Sequence, residues 1–229
     1  MIILAFDCAT VRHSAALWQD GRILARAASD RPHGATEALM PMLDRVLRET
    51  GLDFGRIDRL VVTVGPGHFT GLRAGLAAAR ALVLATGLPI VSVTTFEAIA
   101  AAVGTEARQG HRLLVAIDSK RAEPYLQMFD ADMAALGAPV SQPPGEYAAG
   151  LPQGLPILVA GDAGGTLVAA LREAGHDAVL ADTQASPDAA VLAALGAARA
   201  PVEGAVRPFY LHPPAVKLPA GRAGTERHP

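Results

Sequence analysis

Cysteine is nearly absent from this 229-residue chain: Cys8 stands alone, so no disulfide can close within it. A reducing compartment fits that usage. Lysine is almost as scarce, with Lys120 and Lys217 the only two, so the basic charge is nearly all arginine. The formal net charge of −2 argues against a protein that grips nucleic acid by itself, because neutralising phosphates takes a basic face. The N-terminus shows neither a signal-peptide pattern nor a spanning segment, so the expectation is a cytoplasmic protein without a membrane partner.

Catalytic signatures are missing too. None of the seven histidines lies three or four residues from another, so no helix offers a histidine pair to a metal. No serine sits in Gly-x-Ser-x-Gly, and no Gly-Lys-Ser/Thr closes a phosphate loop. The expectation is no catalytic constellation, no cofactor and no metal site.

What the chain does have is apolar substance, 51% hydrophobic residues, enough for one large domain or two small ones. Its organising stretch begins with Leu60-Val-Val-Thr-Val64, a short β-branched run stopped by Gly65-Pro-Gly-His-Phe-Thr-Gly71. An alanine-rich helix over 72–86 follows, with Gly87 as its left-handed stop and Pro89 beyond. Ile90-Val-Ser-Val93 completes a strand–loop–helix–strand crossover. The helix is apolar nearly all round, charged only at Arg73 and Arg80. Either it packs tightly on its own sheet, or a second face meets another protein. The preceding loop, with Gly65, Pro66, Gly67, Thr70, Gly71 and Arg73, reads as a turn for close helix–sheet packing rather than a phosphate cradle.

Taken in order, 2–6, 14–18 and 23–27 read as a strand meander, with Asp20-Gly21 as a hairpin turn. Residues 36–50 read as a helix closed by Gly51, with Pro41 either in its first turn or at a kink. Thr94 and Glu97 form a capping box opening a helix to about 103. The aperiodic stretch 104–110 marks a boundary. Then 113–117 and 125–129 repeat the opening pattern: Ile3-Leu-Ala-Phe-Asp7 matches Leu114-Val-Ala-Ile-Asp118, which points to an internal duplication. Residues 139–156 read as loop, 157–160 as strand and 166–174 as helix. A last helix starts at Ser186-Pro187-Asp188 and runs to about 200, and 209–211 read as a final anchor. The expected division is a lobe over 1–105, a second over 106–217 and a disordered tail over 218–229.

Asp7 and Thr10 at a strand end resemble the first phosphate loop of actin-like and sugar-kinase ATPases, but Cys8 and Ala9 stand where that loop has glycine. Asp7 and Thr10 therefore read as vestigial. The nine residues 65–73 then closely resemble the Gly-Pro-Gly-Ser-Phe-Thr-Gly-Leu-Arg signature of the TsaB (YeaZ) family, with His68 in the serine position. The resemblance extends through 3–10, 39–43, 95–98, 118–123, 160–162, 187–188 and 210–217, with Pro124 a further departure where the family has an aliphatic strand residue.

The resemblance implies an α/β, two-lobed actin-like ATPase/RNase H-like (ASKHA) fold in a non-catalytic member. It implies a partner that pairs with a TsaD-type enzyme and, with a TsaE-type ATPase, supports N6-threonylcarbamoyladenosine modification of tRNA next to the anticodon. Contact with tRNA would be indirect, through the complex. The His-x-x-x-His metal motif of TsaD is absent around His33 to Glu37, which counts against a metallopeptidase. By the same resemblance the helices over 36–50 and 72–86 form the heterodimer surface, with Leu39, Leu43, Leu72, Leu76 and Ala79 expected in it. Left free, that patch is expected to form a homodimer. The competing expectation is an ATP-binding enzyme, an ATPase or kinase, on the same fold.

Overall fold

The computed structural model describes residues 1–30 and 35–212; His33, Lys217 and the expected tail lie outside the described residues. The chain opens with β1 (Ile2–Asp7), β2 (His13–Gln19) and β3 (Arg22–Ser29), an antiparallel meander. Asp20 and Gly21 both have positive φ, 46° and 89°, the turn geometry that matches strand twist. Helix α1 (Ala35–Thr50) carries Pro41 in its second turn and continues through it. Then β4 (Arg59–Thr63), α2 (Phe69–Thr86) and β5 (Ile90–Val93) complete a sheet of order β3-β2-β1-β4-β5. Gly87 ends α2 in the left-handed conformation (φ 69°), its N–H donating to the Val83 carbonyl at 2.8 Å.

Helix α3 (Thr95–Ala102) begins with the expected capping box: the Glu97 N–H donates to Thr94 Oγ1 at 3.1 Å and the Thr94 N–H to Glu97 Oε2 at 2.8 Å. Contrary to the aperiodic reading of 104–110, a short helix α4 (Thr105–Arg108) follows. The second sheet is built from β6 (Arg112–Ile117), β7 (Tyr125–Phe129), β8 (Val140–Ser141), β9 (Ile157–Ala160) and β10 (Ala178–Leu180). Helices α5 (Pro144–Gly150) and α6 (Gly164–Glu173) interleave with these strands. The stretch read as loop over 139–156 thus holds β8 and α5. Strand β7 begins after Pro124, whose missing N–H would otherwise fall within the ladder. The order β8-β7-β6-β9-β10 repeats the plan of the first sheet, antiparallel on one side of the lead strand and parallel on the other. This is the duplication that the two strand-end aspartates announce.

Apolar packing arranges the elements in layers. Leu4, Phe6, Leu60 and Val62 face α1 and α2, while Ile3, Ala5, Val61 and Val91 face α7 (Ala189–Ala197) and Ala98 of α3. Phe96, Ile99 and Ala100 of α3 pack on Leu113, Val115 and Leu158 of the second sheet, whose far face meets α5 and α6. Strand β1 is buried on both faces, which explains its unbroken apolar run.

The end of the chain departs from the expected lobe division. Helix α7, assigned with 106–217 to the second lobe, packs on the first sheet, and the segment over 201–210 straps the same lobe before Leu211 and His212 turn to the second sheet. The Val202 N–H donates to the Ile90 carbonyl at 2.8 Å, and the Phe209 N–H to the Val64 carbonyl at 2.7 Å. The start of α7 also differs: Asp188, not Ser186, is the cap, its Oδ1 accepting from the Ala190 N–H at 2.8 Å. Arg59 donates to the carbonyls of Gly196 and Arg199, both at 2.7 Å, and so closes the other end. Gly196 lies so near Val61 that a Cβ there would overlap the valine methyls. Gly196→Ala should therefore destabilise the protein by about 1–3 kcal/mol despite better helix propensity. Val61→Ala in the same chain should recover part of that loss, as read by urea unfolding.

Candidate functional site

The ends of β1 and β4 meet at the Gly65–Gly71 loop. Gly65 has φ 107°, which a side chain would resist, and the Gly65–Pro66 peptide is cis. A Cβ on Gly67 would overlap the Ala9 carbonyl oxygen, and the His68 N–H donates to that same oxygen at 2.6 Å. The Gly65 carbonyl accepts from the Thr95 N–H at 2.8 Å, tying the loop to α3. The glycines thus let two backbones touch. In the second lobe Gly161 also approaches a backbone closely, at the Ala116 carbonyl, but that carbonyl lies within β6 rather than in the loop after it.

That contact seals the loop after β1. Asp7, Cys8, Ala9 and Thr10 are all buried. The Ala9 N–H, which a phosphate-binding loop would turn outward, donates to Asp7 Oδ1 at 3.0 Å. Thr63 Oγ1 donates to the same carboxylate oxygen, and Thr10 Oγ1 to the Arg12 carbonyl at 3.4 Å. Among the described residues Asp7 Oδ2 has no partner. Burial pushes the Asp7 carboxyl up to about 7, against the opposing effect of its Thr63 and Ala9 bonds. Burial and the neighbouring Asp7 charge also push the Cys8 thiol up, so it is an inert core group.

His68 is half-buried at the loop, within reach of the charges of His13 and, from the second lobe, Asp118 and Lys120. Burial pushes its imidazole down, with Lys120 and His13 acting in the same direction and Asp118 against. Lys120 Nζ is itself committed to Asp118 Oδ2 at 2.6 Å. Among the described residues no group of three His, Cys, Asp or Glu side chains is placed to hold a metal.

The five residues expected at a partner surface are internal. Leu39, Leu43, Leu72, Leu76 and Ala79 are 0–3% exposed and pack together against β1 and β4. The reason is layer geometry: the larger apolar side chains of both helices fill the space above the sheet. What α2 turns outward is Ala77, Ala81, Leu84 and Ala85, with Leu84 90% exposed. Its two charges serve the strap over 201–210. Arg80 donates to the Val206 carbonyl through Nη2 at 2.6 Å and Nε at 3.1 Å. Arg73 lies 3.8 Å above the Phe69 ring and donates to the Tyr210 hydroxyl at 3.2 Å. Thr70 is exposed and Gly71 buried in the first turn of α2. By length and composition α2 is the one helix among the described residues able to cross a membrane, but its inner face is committed to the sheet.

Twin five-stranded sheets with helices between and outside them define the two-lobed actin-like (ASKHA) fold. The family model for TsaD, tRNA N6-adenosine threonylcarbamoyltransferase, matches residues 28–151. The TsaB proteins of Escherichia coli and Haemophilus influenzae are 37% and 32% identical to this chain over 58% and 55% of it. Those matches span about half the curated relatives' own length, 56% and 52%. A Pseudomonas aeruginosa protein described as similar to peptidase YEAZ superposes with TM-score 0.77 at 25% identity, over 92% of this chain and 99% of its own. YeaZ from the same organism gives 0.72 at 25% identity, over 86% and 90%. The chain belongs to the TsaD family, in its TsaB (YeaZ) branch.

The buried carboxyl has a testable signature. Because the folded Asp7 value lies above the unfolded one, the folded state holds the proton more tightly. Stability should therefore fall as pH rises from about 4 to 7, by at most about 1.4 kcal/mol per unit for this group. Asp7→Asn should remove that component, seen as a flatter stability profile over the same window in chemical denaturation.

Proposed function

We propose that this protein is a non-catalytic cytoplasmic partner that binds and activates a TsaD-type enzyme. With a TsaE-type ATPase, the pair would modify tRNA to N6-threonylcarbamoyladenosine next to the anticodon. The observation that carries the reading is the sealed loop at Cys8–Thr10: its Ala9 N–H is turned to Asp7 and its Ala9 carbonyl to His68. The amide at the centre of that loop is therefore spent within the protein rather than offered to a nucleotide phosphate. Membership of the TsaD family and likeness to the TsaB proteins, named for tRNA threonylcarbamoyladenosine biosynthesis, supply the pathway.

The surface that fits the partner is the outward side of α2, where Ala77, Ala81, Leu84 and Ala85 form a helical apolar stripe, together with exposed Met40 of α1. This keeps the two helices expected from the family resemblance and replaces the five internal residues with outward ones. Without its partner, the same stripe would support a homodimer.

Leu84→Arg should leave the melting temperature unchanged, because the side chain is solvent-exposed. It should weaken pairing with the TsaD-type enzyme by about 3–5 kcal/mol, the cost of burying an unpaired charge. Binding calorimetry checks this, and unchanged affinity would remove Leu84 from the interface. Titration with ATP should show no binding to the isolated protein, whereas saturable binding there would favour the ATPase or kinase reading.

A further inference from the structure

The outward stripe of α2 begins at a fixed cation. Arg73 lies one turn before Ala77, its guanidinium 3.8 Å above the Phe69 ring and its Nε donating to the Tyr210 hydroxyl at 3.2 Å. The Phe69 and Tyr210 rings stand 5.9 Å apart, so two aromatic side chains hold the guanidinium at an exposed corner. About two turns further along α2, Arg80 is tied to the Val206 carbonyl on the same, strap-facing side. A hydroxyl, a carbonyl and a ring orient a guanidinium but leave its charge whole. Neither arginine meets a carboxylate among the described residues, and neither does Arg207, exposed on the strap beside Val206. Glu203, the one carboxylate of the strap, pairs with none of the three.

The other flank differs. On α1, which packs with α2 in the same layer, Arg45 pairs with Glu49 at 2.7 Å and Arg48 with Asp44 at 2.8 Å. Glu37 is the one remaining charge of α1. The surface is thus apolar along its middle and positive along the strap side alone. We propose that the partner seated on α2 presents a helix whose apolar face is bordered on one side by carboxylates, placed against Arg73 and Arg80. This rests on the function proposed above, in which α2 is the docking face. An apolar stripe alone fixes neither the direction nor the register of a docked helix, whereas a one-sided row of cations fixes both. Turned end for end, the same helix would carry its carboxylates to the α1 side. Because Arg73 is already held in place, it loses little freedom on pairing. A tRNA backbone is the poorer match, since a few arginines bordering an apolar stripe in a chain of net charge −2 do not make a basic face.

The test uses the full chain and the purified TsaD-type enzyme, with pairing followed by calorimetry at low and high salt. Arg73→Glu should weaken pairing at least tenfold at low salt, and the deficit should shrink at high salt, where charges are screened. Arg73→Gln should fall in between, and Arg73→Lys should stay near wild type. Arg22→Glu, on edge strand β3, makes the same change in net charge and should alter nothing. Exchanging the matching carboxylate of the enzyme for arginine should restore pairing with Arg73→Glu. Pairing indifferent to Arg73→Glu, or lost equally in Arg73→Lys, overturns the proposal. If Leu84→Arg still abolishes pairing in that case, the docking face stands and only its acidic partner falls. If Leu84→Arg is silent too, the face itself falls. Loss of tRNA affinity by the assembled complex in Arg73→Glu, with pairing intact, overturns the proposal in favour of an RNA phosphate. Loss of self-association with pairing intact overturns it in favour of carboxylates on a second copy of this chain.

Discussion

The contact between the Gly67 backbone and the Ala9 carbonyl is the constraint on which the first lobe depends. It brings the ends of β1 and β4 together, starts α2 at Phe69 and leaves Asp7 buried beneath its own loop. Strap and helix layers attach to the same corner: the Val64 carbonyl receives the Phe209 N–H, and the Gly65 carbonyl the Thr95 N–H. A ligand entering between those backbones would have to break this seam. In the second lobe the close glycine contact falls elsewhere: Gly161 meets the Ala116 carbonyl inside β6, two residues before Asp118, so the seam over the loop belongs to the first lobe. The fold common to many ATPases is therefore kept here with its first loop turned inward.

The consequence for α2 follows from packing. Its leucines at 72 and 76 and Ala79 are drawn onto the sheet, and its arginines at 73 and 80 are occupied by the strap. The remaining outward stripe is alanine with one exposed leucine, a smooth surface that a second helix can approach closely. The function proposed above places the partner contact on this face rather than in the cleft.

Much of this was legible in the sequence because the signals are local. Strand runs ended by Asp7 and Asp118, the Asp20-Gly21 hairpin, the Thr94–Glu97 capping box and the Gly87 stop each depend on a few neighbouring residues. Leu72, Leu76 and Ala79 were misplaced because α2 is apolar nearly all round and periodicity alone does not say which stripe faces inward, whereas Leu39 and Leu43 belong to the apolar stripe that the amphipathic α1 turns to the sheet. Strand β8 and helix α5 hide in a proline- and glycine-rich stretch, where tertiary contacts rather than propensity decide. The return of α7 and the strap to the first lobe rests on long-range bonds to carbonyls, such as Arg80 to Val206, which leave no pattern in a sequence.

The most direct test of the central claim is threonylcarbamoyl transfer to tRNA by the cognate TsaD-type enzyme and TsaE-type ATPase, assayed with and without this protein. The account predicts product only when the protein is present, and undiminished product when Asp7 is replaced by Asn. Equal product in its absence would contradict the activator role.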